Sequence, residues 1–481
     1  MNKRMLGHLF GVLLTIEAAM LLLPILVAAI YREDILPFLY TIGILLAVAI
    51  PLLLARPKRN RRLYAREGFV CAAGSWILLS LFGALPFLLS GAIPSYVDAV
   101  FETASGFTTT GASILTDIEA LPRGILFWRS FTHWVGGMGV LVFMLALLPT
   151  DNSRAMHLLR AEVPGPQKGK IVPKLRHSAL ILYGIYLALT IVEIAALMIA
   201  GLPLYDSVVN ALGTAGTGGF AVKNASIAGY ANPAAEWIIA VFMLLFGVNF
   251  NLYFFLLVGR VRDALRSEEL RTYLLIVLAA TTVITLNTLS LFDGFGTALR
   301  ASFFQTTSII STTGYVTANF ELWPTLSKVV LLCLMIMGAS AGSTAGGLKL
   351  SRIMILAKSG LREIRHILRP RSINVTRLDG DPIPDETVRT TGNYLIIYCV
   401  LLVIGALLIS VDGFSIETTF TAALTCLSNV GPGLGEIVGP VGNFAAFSPF
   451  SKIVLSLLML IGRLEIFPLL IFFMPSTWRK A

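Results

Sequence analysis

Charge is what this sequence most lacks. Only 13% of its 481 residues are charged, 37 basic and 27 acidic, where a soluble domain carries about 25%. With 56% hydrophobic residues and a mean hydropathy of +0.81, the chain does not read as water-soluble. The ten-residue alternating segments of a transmembrane barrel are missing, which excludes that architecture. Cysteine is scarce: Cys71, Cys333, Cys399 and Cys426 stand apart in apolar runs. No metal-type spacing links them, and we read them as inert core thiols. The Gly-Lys-Ser/Thr ending of a phosphate loop is absent. Gly431-Pro432-Gly433-Leu434-Gly435 also lacks the spacing of a dinucleotide turn and follows no strand.

What the chain has is apolar length. Several runs exceed the roughly 18 to 20 residues needed to cross a bilayer. A basic start (Lys3, Arg4) precedes the run 7–30, which is too long for the apolar core of a signal peptide. Runs 7–30 and 36–55 form a lead pair. A recurring pattern follows: long span, short helix, Thr/Gly loop, long span. Its spans lie at 68–90 and 125–148, 177–201 and 235–258, 272–292 and 326–348, and 391–411 and 451–474. Ten spans put both termini in the cytoplasm. The basic clusters Arg56–Arg66, Arg260–Arg271 and Lys349–Arg377 then all fall inside, as the positive-inside rule demands. They are not a nucleic-acid footprint. The expected fold is an all-α polytopic membrane protein embedded in the lipid bilayer. Its parts are a lead domain at 1–67 and units at 68–150, 151–262, 263–390 and 391–481.

The loops repeat: Thr109-Thr110-Gly111-Ala112, Thr217-Gly218-Gly219-Phe220, Thr312-Thr313-Gly314-Tyr315 and Asn429-Val430-Gly431-Pro432. The helix before each has about ten to thirteen residues, roughly 15 to 20 Å and half a bilayer. Such helices enter from outside and stop midway. Asp98, Asp206 and Glu417 near three of their starts complement the helix dipole. In the third unit Arg300 occupies that region, against the pattern. Irregular backbone at membrane depth is tolerated only where it is buried or lines a wet cavity. Four such loops point to a ring of carbonyls that replaces the water around a dehydrated cation. The plainer reading is close helix packing at glycine.

Other features compete with bland explanations. The stretch 338–347 reads Gly-Ala-Ser-Ala-Gly-Ser-Thr-Ala-Gly-Gly, which would break a span or serve as a small-residue packing face. It also matches the Gly-x-Ser-x-Gly elbow around Ser340, the one hint of an intramembrane enzyme, but no strand or histidine partner accompanies it. Arg463 and Glu465 sit within the last span, where charge is costly. Glu17 and Glu193 interrupt apolar spans and read as structural pairs. Arg129, His133 and Trp134 sit where they could brace the first loop from behind.

The four loops resemble those of the Trk/Ktr/HKT superfamily of potassium transporters. So do Phe127-Trp128-Arg129, His133 to Gly139, Gly342 to Lys349 and Ser428 to Gly435. The resemblance covers almost the whole chain, and the lead pair is similar to the Trk branch. It implies four joined units around one pseudo-fourfold pore. Thr110, Gly111, Gly218, Gly219, Thr313, Gly314, Val430 and Gly431 would form the potassium filter, with Gly219 matched through Gly-Phe to Gly-Tyr. A gating loop at 338–347 is implied, with Gly342, Ser343, Thr344, Gly346, Gly347 and the adjacent Lys349. So is an arginine below the filter, Arg463, acting as an electrostatic gate or else held in an ion pair. The resemblance implies channel-like potassium uptake across a bacterial inner membrane, with symport coupled to sodium or protons as the alternative. It also implies a cytosolic nucleotide-binding regulatory subunit, docking near 150–176 and 349–390, and a homodimer. No enzymatic activity is expected.

Overall fold

The computed structural model describes residues 3–54, 65–139, 175–371 and 375–479. The basic residues 56–62, positions 140–148 of the expected second span of unit one, and most of the loop 150–176 lie outside them. Six described helices are long and apolar enough to cross a membrane: Lys3–Tyr31, Leu36–Leu54, Arg66–Leu89, Ala179–Ile199, Glu268–Leu291 and Asp385–Asp412. They are the lead pair and the first span of each unit. Leu275, Leu278 and Leu286 on one, and Ile396, Val403 and Leu407 on another, stay exposed, as spans facing lipid require.

The expectation of ten full spans fails at the second spans of units two, three and four, which are interrupted, and in unit one the described helix ends early. In unit one Arg123–Gly137 stops before Gly139, which has φ +82°. In unit two Pro233–Phe246 and Phe250–Leu257 meet at 91°. In unit three Thr325–Met337 gives way to an extended stretch before Leu350–Leu368. In unit four Pro449–Arg463 breaks before Phe467–Phe473, with Glu465 and Ile466 both at positive φ. Only the 338–347 break was anticipated. The others lie at Gly136-Gly137-Met138-Gly139, at Gly247 or at Arg463-Leu464-Glu465, each too short to read as a loop in an apolar run. Their freed backbone groups find partners inside the protein: Gly247 O accepts from Ser340 N at 3.2 Å, and Gly342 O from Phe250 N at 3.0 Å.

The half-span helices form as the short runs predict: Tyr96–Phe107, Leu204–Gly216, Phe295–Ile310 and Ile416–Ser428. The third, at 16 residues, is longer than expected. Ser95 and Ser415 cap the first and fourth through their hydroxyls. Arg300, the residue against the pattern, pairs with Glu236 at 2.8 Å. Glu236 is the fourth residue of its helix, Pro233–Phe246. Lys452, the fourth residue of Pro449–Arg463, pairs with Asp98 of the first half-span helix at 2.7 Å. The same joint thus recurs between units two and three and between four and one, with its signs exchanged.

The lead domain is fastened to unit one. Glu33, in the turn between its helices, accepts from Arg123 N at 2.7 Å and Gly124 N at 2.8 Å. On the opposite face, a two-residue ladder pairs Arg377–Leu378 with Asp381–Pro382, and Asp379 caps Glu268 N at 2.7 Å. Cys71 and Cys426 are buried, but Cys333 and Cys399 lie exposed on the flanks of their helices and are not core thiols.

Candidate functional site: a ring of four loops

Each half-span helix ends in the same way. The residue two before the key glycine is left-handed: Thr109 (φ 57°), Thr217 (55°), Thr312 (57°) and Asn429 (56°). Its N–H reaches back three residues, to Gly106, Thr214, Ile309 and Cys426. The next N–H reaches back five: Thr110 to Ser105, Gly218 to Gly213, Thr313 to Ser308 and Val430 to Thr425, at 2.9 to 3.0 Å. This is a Schellman ending, built on threonine or asparagine where glycine is usual. Threonine in that conformation costs about 1–3 kcal/mol, and asparagine tolerates it more readily. Gly111, Gly219, Gly314 and Gly431 then return to positive φ, at 78°, 77°, 82° and 101°. Gly219, not Gly218, therefore stands at the equivalent position.

The loops close on one another. A Cβ at Gly111 would strike the carbonyl oxygen of Gly218, and one at Gly219 that of Thr313. At Gly314 it would strike Val430 O, and at Gly431 it would lie 2.7 Å from Thr110 O. The contacts run from loop one to two, three, four and back to one. All eight residues expected in the ring are thus together, with a backbone carbonyl of each unit against the glycine of its neighbour. Side chains pin the ring from behind. Tyr315 donates to Asn210 O at 2.9 Å and to Phe220 O at 3.2 Å, tying loop three to loop two. Asn429 donates to Thr110 Oγ1 at 2.9 Å, tying four to one. The His133 Nδ1 bonds Gly106 O at 2.7 Å, and its ring fills the space a Cβ at Gly218 would need.

The helix breaks gather directly beneath. Gly346 N donates to Thr312 Oγ1 at 2.7 Å, and a Cβ at Gly346 would press on Ser428 O at 2.6 Å. Gly342 and Gly347 take positive φ, Ser343 Oγ donates to Ser340 O at 2.6 Å, and Thr344 Oγ1 to Phe246 O at 3.3 Å. Lys349, buried, caps Ala345 O with its ammonium. Arg463 spans three units. It donates to Thr109 Oγ1 at 3.0 Å, Thr344 O at 2.7 Å and Gly137 O at 2.7 Å, and also to Gly136 O. The acid beside it, Glu465, instead holds Arg352.

Two buried carboxylates here escaped the sequence. Glu269 Oε1 accepts from Ala341 N at 2.8 Å and Ser351 N at 3.1 Å, holding both ends of the 338–349 stretch. Glu102 holds the segment after Gly111 through Ser113 and Ile114. Glu269 stands in the first turn of Glu268–Thr288, where an acid reads as dipole compensation, and Glu102 sits in the second half of Tyr96–Phe107, hidden behind Asp98. The expectation of ion pairs for Glu17 and Glu193 fails. Both are fully buried, neither has an ion-pair partner among the described residues, and Thr214 lies beside Glu193. Ser340 Oγ, the elbow candidate, is buried, and no base among the described residues bonds it.

Four half-span helices converging on one carbonyl ring, within a bundle of apolar spans, define a multi-pass membrane protein of the re-entrant-loop class. The sequence matches the TrkH family, described as a cation transport protein, over residues 38–480, and the chain belongs to that family. It is 36% identical to the Trk system potassium uptake protein TrkH of Salmonella typhimurium, over all of both chains. It is 31% identical to the Trk system potassium uptake protein TrkG of Escherichia coli, over 100% of this chain and 99% of that one. The crystal structure of the potassium transporter TrkH from Vibrio parahaemolyticus superposes with a TM-score of 0.89 at 32% identity, covering both chains fully.

Proposed function

We propose that this chain carries potassium into a bacterial cell across the inner membrane, with both termini cytoplasmic. The observation that carries the reading is the closed ring. Potassium would shed its water against the carbonyls around Thr110, Gly111, Gly218, Gly219, Thr313, Gly314, Val430 and Gly431. Conduction is channel-like in this proposal: the membrane potential supplies about 2.3 kcal/mol per charge per 100 mV, and the chain hydrolyses nothing.

The 338–347 stretch and Arg463 form the gate. The stretch lies under loops three and four, and Arg463 reaches the base of loop one. A fixed positive charge there opposes cation passage until the group moves. The boundaries 1–67, 68–150, 151–262, 263–390 and 391–481 divide the chain into a lead domain and four pore units. A cytosolic nucleotide-binding regulatory subunit docks on the inner basic surface, which includes Arg362 and Arg365 of Leu350–Leu368 and its C-cap Arg369. Two copies of the chain form the working unit.

The test is potassium and rubidium uptake into liposomes holding purified protein, with sodium as competitor. Gly314→Ser places a Cβ against Val430 O. We expect the wild type to pass potassium on voltage alone and the variant to lose its preference for potassium over sodium. Equal flux and preference in both would overturn the ring as the filter. Flux that requires a second ion gradient would replace conduction with symport.

A further inference from the structure

One buried ion pair in the ring exceeds what packing needs. Arg129 is 2% exposed and Glu102 is fully buried, with Arg129 Nε 2.6 Å from Glu102 Oε1. Replacing such a pair with apolar residues of like size is often neutral or stabilising, so the pair is weak support for the fold itself. Its connections are specific instead. Glu102 accepts from Ser113 Oγ at 2.9 Å and Ile114 N at 3.0 Å, just past Gly111. Arg129 Nη1 donates to Ala221 O at 3.2 Å, and its guanidinium lies 3.5 Å from the centre of the Phe220 ring, just past Gly219.

We propose that Arg129, with Glu102 and Phe220, is a positioning clasp that sets the separation of loops one and two and thereby the ion preference of the ring. The inference rests on the filter reading above. The joints of loop three to two and of four to one use neutral donors, Tyr315 and Asn429. At the first joint a planar fork meets a carboxylate, a carbonyl and an aromatic face at once. A lysine ammonium, a point charge, cannot meet all three. Glu102 has a second duty: it cancels a positive charge that would otherwise repel the cation in the ring.

Reconstituted protein tests this with three variants. Arg129→Lys keeps the charge and loses the fork. Phe220→Leu keeps both charges and loses the aromatic plate. Gly314→Ser, on the far loops, reports on the ring itself. We expect Arg129→Lys and Phe220→Leu each to lower the potassium-to-sodium flux ratio about tenfold, the scale of one charge-assisted hydrogen bond for the first and of one desolvated cation–π contact for the second. The thermal midpoint of the purified protein should stay near that of the wild type. If both variants keep the wild-type ratio while Gly314→Ser loses it, the clasp is overturned and the filter stands. Should Gly314→Ser also match the wild type, the filter reading fails and the clasp with it. If Arg129→Lys does not fold, Phe220→Leu decides alone: an unchanged ratio refutes the clasp and a lowered one supports it.

Discussion

At the residue scale, four left-handed positions carry the site. Thr109, Thr217, Thr312 and Asn429 bear local strain where each half-span helix ends, and the carbonyls that follow lie against the glycine of a neighbouring unit. Two of the four are also held from below, Thr109 by Arg463 and Thr312 by Gly346 N. Removing the guanidinium should loosen the lower layer. We expect Arg463→Ala to raise potassium flux several-fold at fixed voltage, because units one and three lose their common donor and the fixed charge goes with it. Fluorescent flux assays in liposomes would read this, and unchanged flux would show that the charge does not gate. The glycines of the ring were legible from sequence through the repeated Thr/Gly signature. The strained threonines were not, because threonine gives no sign of a left-handed backbone until its helix is seen to end there.

At the scale of elements, the informative feature is the interrupted second span. The glycine run of unit three announced its break. The breaks at Gly247 and at Leu464–Ile466 did not, since an apolar helix tolerates one glycine in sequence terms. The freed groups of units two and three satisfy one another, and Arg463 of unit four takes the carbonyls of Gly136 and Gly137 in unit one, so the layer belongs to the assembly of helices rather than to any one of them. Gly346→Ala tests this layer. Its Cβ would sit 2.6 Å from Ser428 O, closer than any ordinary contact, so the stretch must move away from loop four. We expect a raised resting leak and a lower thermal midpoint. A leak and midpoint equal to the wild type would mean the stretch does not bear on the ring. Glu269 should act on the same element. Glu269→Gln weakens its bonds to Ala341 N and Ser351 N, and each lost charge-assisted bond is worth about 1.5–3 kcal/mol.

At the scale of the whole molecule, a ring made from one chain must be closed between its first and last units. Lys452–Asp98 does this, at 6% and 24% side-chain exposure. Arg300–Glu236 makes the equivalent joint between units two and three. Reversing one member of a largely buried pair should cost about 3 kcal/mol or more. Asp98→Lys alone should therefore lower the thermal midpoint, and the double variant Asp98→Lys/Lys452→Asp should recover most of the loss. Failure of the double variant to recover would show that position, not pairing, matters there. These joints also explain Arg300, which looked misplaced when each unit was read alone: its acid comes from the neighbouring unit.

The sequence by itself determined the class of protein. Scarce charge and long apolar runs separated by basic loops dictate a polytopic bundle, because a bilayer leaves the chain few other ways to satisfy its backbone. The repeated Thr/Gly loops also pointed to one shared site. Only the tertiary structure decided which residues face one another. It showed that each ring glycine faces a carbonyl of the next unit, that Arg463 donates to units one and three, and that Glu102 finds Arg129 while Glu17 finds no ion-pair partner among the described residues. The reason is physical. Membrane insertion is a sum over local hydrophobicity, which the sequence displays directly. Polar partnership inside the bundle depends on distances between segments a hundred and more residues apart, which follow only from the packing of all four units.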